Sequence, residues 1–137
     1  MPFHDPIQCV MDALKACRSI ENATAGLDLN IYGETEVVRL ATERAFEILG
    51  EALNRTDKAD PSFRSQIPEI GDIIGMRNKI AHGYDNVDDE IIWRAAENHV
   101  PGLKIKLEAW LKKNDPPSKE PEMKEPNTGS KSSKISP

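Results

Sequence analysis

The sequence predicts an all-α, up-and-down helical bundle of four to five helices, and three observations lead there. Apolar residues recur at spacings of three and four from Ile7 to Leu111, which is the repeat of one helix face. No segment sustains the period-two alternation of a half-buried strand. Residues that start and stop helices stand where these periodic stretches begin and end.

Asp5 followed by Pro6 supplies an N-cap and a proline at the first helical position. Ile7, Val10, Met11, Leu14, Cys17 and Ile20 then form one stripe, so the first helix is expected over 6–22. The second is expected over 34–53: Val37, Ala41, Ala45, Ile48 and Ala52 lie on one stripe, with Val38, Phe46, Leu49 and Leu53 beside it. So wide an apolar face predicts a well-buried helix. Residues 54–66 are polar, and Asp60-Pro61 marks a turn. A third helix should start near Pro68 and end where His82 meets Gly83, a residue suited to a left-handed C-cap. Asp88 and Asp89 open a fourth stretch to about Lys113, carrying Ile92, Ala96, Val100, Leu103, Leu107 and Leu111, which Pro101 must kink or split.

The chain has 137 residues, 38% of them hydrophobic and 30% charged, the profile of one folded domain. That domain is expected over 1–113. Residues 114–137 hold five of the ten prolines and few large apolar side chains, too little to offset the entropy of ordering, so a disordered tail is expected there. The tail's Asp115, Glu120, Glu122 and Glu125 balance Lys119, Lys124, Lys131 and Lys134, which assigns the net charge of −5 to the domain. An acidic domain argues against broad, sequence-independent nucleic-acid binding but leaves room for a small nucleotide or RNA site. The N-terminus lacks a basic start and an apolar run, and no stretch is long enough to span a bilayer, so a cytoplasmic protein is expected. Cys9 and Cys17 lie eight residues apart in one helix, about 12 Å, too far for a disulfide, and read as core thiols.

The familiar catalytic signatures HExxH, CxxC, GxSxG and GxGxxG and the phosphate-binding P-loop are missing. His4, His82 and His99 sit in unrelated segments, so no metal site and no cofactor are expected, and His99 reads as a surface or packing residue. Residues 75–85 are different. Asn78 and His82, at i and i+4, share a helix face, and Arg77 can reach the same space. An Arg can hold a phosphate, a His titrates near neutral pH and an Asn can orient either. Those are the groups needed to cleave a phosphodiester without a metal. The same spacing also suits a salt-bridged Arg77, a His82 cation favoured by the helix C-terminus and a Tyr84 that packs a loop.

The run Arg77-Asn78, three residues, His82-Gly83-Tyr84 resembles the R-N-x3-H-x-Y motif of HepT-like toxins, in the HEPN superfamily of α-helical nucleotide-binding and ribonuclease domains. The segment from Arg44 to Ala52 is similar to the family's second-helix signature. Ile73-Ile74-Gly75-Met76 leads into the motif, and Asp88, Ile91, Ile92 and Trp93 follow it. Val100, Pro101 and Leu103 match a late Leu-Pro-x-x-Leu segment in part. The likeness covers about residues 6–111; Gly71 stands where relatives often place Trp.

The resemblance implies a metal-independent endoribonuclease toxin of a type VII-like toxin–antitoxin pair, a homodimer whose two motifs meet in one cleft. Arg77 and His82 would be catalytic, with Asn78 orienting them. Tyr84 would be the AMPylation site of a minimal nucleotidyltransferase antitoxin. Lys79, Arg64 and Arg94 are candidates for flanking RNA phosphates. A non-catalytic nucleotide-binding or assembly partner of a nucleotidyltransferase would need the same residues.

Overall fold

The computed structural model describes residues 5–82 and 88–114. Gly83, Tyr84 and residues 115–137 lie outside the described residues. Within them the chain forms seven helices and no strand: α1 Pro6–Thr24, α2 Leu29–Glu34, α3 Glu36–Ala59, α4 Phe63–Gln66, α5 Ile70–Ala81, α6 Asp89–Asn98 and α7 Val100–Asn114. The all-α bundle expected from periodicity is present. Its helix count is higher because α2 and α4 are short and the last stretch is divided.

Asp5 caps α1 as expected, its Oδ1 accepting from the Ile7 N–H at 2.9 Å. The helix runs two residues past Asn22, and the chain turns away at Gly26, whose φ of +76° suits glycine. Asp28 caps α2 by accepting from the Ile31 N–H at 2.8 Å. Six residues carry too little periodicity to announce this helix. The polar segment 54–59, expected to lie outside the second helix, continues α3. Thr56 is fully buried there, its hydroxyl donating to the Ala52 carbonyl at 2.9 Å, so a polar residue is satisfied inside the helix. The helix stops at the Asp60-Pro61 turn, six residues past its expected end, and the Asp60 carboxylate accepts from the Ser62 N–H at 3.2 Å and from its hydroxyl at 2.7 Å. The last stretch divides at His99, not at Pro101. Pro101 lies in the first turn of α7, where a helix has no use for its missing N–H.

The core is built from Val10, Leu14, Cys17 and Ile20 of α1, Phe46, Leu49 and Leu53 of α3, Ile70 and Ile73 of α5, and Leu103 and Leu107 of α7. Aromatic side chains close its two sides. Tyr32 lies 5.4 Å from Trp93 between ring centres, and Phe63 meets Trp110 edge-on at 5.6 Å. Cys9 and Cys17 are free buried thiols, as expected.

Part of the expected burial of α3 is wrong. Val37 is 77% exposed, Leu40 59% and Ile48 42%, and Ala41 is exposed beside them. The helix is apolar over more of its circumference than its neighbours cover. The arc of Phe46, Leu49 and Leu53 takes the core, and the arc of Val37, Ala41 and Ile48 faces out. Met11 of α1, placed on the core stripe by its spacing, is likewise about half exposed.

α3 and α5 approach closely at Gly50. A methyl group there would run into the Arg77 Cβ and lie 2.6 Å from its Cγ. Glycine in a helix interior costs about 1 kcal/mol relative to alanine, so its presence is explained by the space it leaves. Gly50→Ala should therefore lower stability by about 1–3 kcal/mol through overpacking, despite its better helix propensity. Chemical denaturation measures this; a variant as stable as the parent would show that the helices separate without cost.

Candidate active site at the end of α5

The site is assembled from the last two turns of α5 and the side of α3 that faces them. His82 is the C-cap of α5, its N–H donating to the Asn78 carbonyl at 3.1 Å. Its imidazole is exposed, one turn beyond Asn78 on the same face. Asn78 and His82 therefore share one helix face, as their i, i+4 spacing predicts. Tyr84, the fourth predicted site residue, lies outside the described residues.

Arg77 is turned towards α3. One terminal nitrogen, Nη2, donates to Oε1 of Glu51, and the other, Nη1, donates to the Asn78 Oδ1 at 2.8 Å. The second oxygen of Glu51 is held by Arg55 Nη2 at 3.2 Å. Side-chain exposures of 29% for Arg77 and 37% for Glu51 leave the ion pair partly screened, so it orients more than it stabilises. A guanidinium carries five N–H donors. With one on each of Glu51 and Asn78, others remain for an anion.

Arg77 lines a groove of about 560 Å³ between α1, α3 and α5. The groove gathers four cations, Lys15, Arg44, Arg55 and Arg77, against three carboxylates, Asp12, Glu47 and Glu51. A chain of net charge −5 thus carries a local positive excess beside its Arg/Asn/His cluster. Such a surface can attract a phosphate without binding nucleic acid broadly.

The other predicted phosphate contacts separate. Lys79 and Arg94 border a second groove, between α5 and α6. Arg64 lines neither; Asp57 holds it, accepting from Nε at 3.2 Å and from Nη2 at 3.0 Å. His99 is half-buried and also faces the second groove. Among the described residues, no three His, Cys, Asp or Glu side chains converge as metal ligands. Burial, helped by the nearby Glu21 charge, pushes the Cys17 thiol up to about 12, and burial raises the Cys9 thiol as well. Neither is suited to act as a thiolate nucleophile.

Sequence reasoning missed the partner of Arg77 on α3. Glu51 is 26 residues away, and no spacing rule links two helices. Gly50 is the one signal that was available, because glycine inside an otherwise periodic helix marks a close approach.

No described helix is long and apolar enough to cross a membrane. No solved structure matches the chain. A curated relative from Methanocaldococcus jannaschii, named as an RNase, is 29% identical over 114 residues, 82% of this chain and 96% of its own. Another, named as a probable ribonuclease HepT, from Thermococcus cleftensis, is 30% identical over 99 residues, 71% of this chain and 87% of its own. The family model described as ribonuclease HepT-like matches residues 13–110, a span that holds Arg77, Asn78 and His82, the clamp on Arg77 and, Asp12 apart, both grooves beside α5. The chain therefore belongs to the HepT-like ribonuclease family.

Proposed function

We propose that the chain is a metal-independent endoribonuclease, the toxin of a type VII-like toxin–antitoxin pair, working as a homodimer and silenced by AMPylation of Tyr84. The observation that carries this reading is the hydrogen bond of Arg77 to Asn78 near the end of α5, one turn before His82, with Arg77 held from behind by Glu51.

Cleavage by the RNA 2′-hydroxyl forms a bond from the 2′-oxygen to phosphorus and breaks the bond to the 5′-oxygen. A base removes the 2′ proton, and an acid supplies one to the leaving oxygen. Imidazole suits both tasks near neutral pH. Each chain offers one motif histidine, so a base and an acid call for two chains. Arg77 would stabilise charge on the phosphorane oxygens, Asn78 would keep its guanidinium in place, and Glu51 would position Arg77 without touching RNA. The exposed stripe of Val37, Leu40, Ala41 and Ile48 on α3 supports the dimer, because Ile48 also borders the groove that Arg77 lines.

His82→Ala should lower kcat for RNA cleavage by about 100-fold or more while leaving the helical circular-dichroism signal unchanged. Arg77→Ala should lower it to a comparable extent. Glu51→Gln should reduce kcat less than either, with KM little altered. Activity should be equal with and without EDTA. Cleavage at the parent rate by His82→Ala would remove that residue from the mechanism. A parent that binds nucleotides but cuts no RNA would leave the non-catalytic partner reading.

Light scattering at micromolar concentration should give about twice the chain mass, the outcome expected of a two-fold dimer. A monomer that cuts RNA would exclude the two-histidine mechanism.

Tyr84 follows His82 by two residues, close enough for a phosphate on its phenol to compete with RNA for Arg77. Incubation with the cognate nucleotidyltransferase and ATP should add whole AMP units to the chain and stop cleavage. Tyr84→Phe should still cut RNA and escape silencing. Mass spectrometry that places AMP on another residue would refute this form of control.

A further inference from the structure

α5 separates two grooves. Arg77 and Ala81 face the one shared with α1 and α3. On its other side, Gly75, Met76 and Lys79 look across a groove of about 440 Å³ to Ile91 and Arg94 of α6, with His99 at its end. A volume of this size is within the ~300–1,000 Å³ usual for ligand clefts. The helix repeat places His82 and Asn78 on the ridge between the grooves, since His82 follows Lys79 by three residues and Asn78 by four. A strand whose phosphate sits at Arg77 and His82 can cross that ridge and continue into the second groove.

The character of the groove fits one nucleotide of such a strand. Lys79 and Arg94 are both exposed, and Asp72 is the carboxylate among its lining residues. Arg94 is held by Glu90 at 2.7 Å with its side chain 62% exposed, so its guanidinium stays open to a phosphate. Between the cations lies apolar surface. Ile91 is 53% exposed and Met76 half-buried, and His99 lines the same groove. At Gly75 the groove is open, and a Cβ there would meet nothing within 4 Å. Cations flanking an apolar platform are what single-stranded nucleic acid requires: phosphates take the charge and a base covers the apolar surface.

We infer that the α5/α6 groove is a subsite for the RNA nucleotide next to the scissile phosphate, with its base on Met76 and Ile91 and its phosphate on Lys79 and Arg94. The inference rests on the ribonuclease reading above for its substrate, but its test does not depend on cleavage.

The test uses the full chain and a fluorescent single-stranded RNA of about eight nucleotides, with 2′-O-methyl sugars that prevent cleavage. Binding is followed by anisotropy over a range of KCl concentrations. Lys79→Ala and Arg94→Ala should each reduce the slope of log affinity against log salt by about 0.7, the share of one phosphate on a single strand. Gly75→Leu, which fills the groove, should weaken binding on the order of tenfold without changing that slope, because no phosphate contact is lost. Gly75→Ala, with its small methyl in open space, should bind as the parent does. Ile91→Ser gives a second route to the base contact should Gly75→Leu not fold. Parent-like affinity and slope in the Lys79, Arg94 and Ile91 variants would overturn the subsite, as would a parent that does not bind the oligonucleotide. A change of oligomeric mass in Gly75→Leu would assign the groove to contact between copies and would also overturn it. If the parent binds this RNA and loses affinity in these variants, yet never cuts an unmodified RNA, the subsite stands and the ribonuclease reading falls.

Discussion

The close contact of α3 with α5 at Gly50 is the constraint on which the rest of the site depends. Without a Cβ at that position the Arg77 stem can lie against the α3 backbone, and its guanidinium arrives within reach of Glu51, one residue further along α3. A long arginine loses considerable rotamer freedom when it is fixed. Two acceptors, Glu51 and Asn78, offset that loss before any ligand binds, and the remaining donors would be free for an anion. Arg55, on the far oxygen of Glu51, keeps the carboxylate from turning away.

The same arrangement shows how an acidic chain can serve a polyanionic substrate. The negative charge is not uniform. Four cations meet three carboxylates in the groove beside Arg77, while on the other side of α5 Lys79 and Arg94 stand beside Asp72 and the Glu90 that pairs with Arg94. Local excess of this kind acts over about a Debye length, roughly 8–10 Å at physiological salt, and is lost beyond it. Such a surface would favour a strand that is placed correctly and give little to one that is merely nearby. The exposed apolar arc of α3 lies next to this region, so association through that arc would bring any partner to the site.

Stability is drawn from elsewhere. The core residues of α1, α3, α5 and α7 are almost wholly buried, whereas Asn78, Lys79 and His82 are exposed at the end of α5. Placing polar chemistry at a helix end avoids burying it, which would require further partners for each group. The cost is local. A helix terminus has fewer backbone hydrogen bonds than a helix interior, and α5 is anchored mainly through Ile70 and Ile73 at its other end.

By itself the sequence determined the helical class, the start of α1 at Asp5-Pro6, the turn at Asp60-Pro61 and the grouping of Asn78 with His82 on one helix face. Each of these is a local matter, fixed by caps, prolines and the 3.6-residue repeat within a single helix. Residues 54–59 and the position of the last break were misjudged, because polar residues are compatible with a helix that packing supports and proline is harmless in a first turn. Tertiary structure alone decided that Phe46, Leu49 and Leu53 face the core while Val37 and Ile48 face out, and that Arg77 pairs with Glu51. It also decided that Arg64, which reads like Arg94 in the sequence, is tied to Asp57 and lines neither groove. The reason is the same in each case: periodicity says which residues share a face of one helix, but only the neighbouring helix decides which face is covered and which distant charge is met.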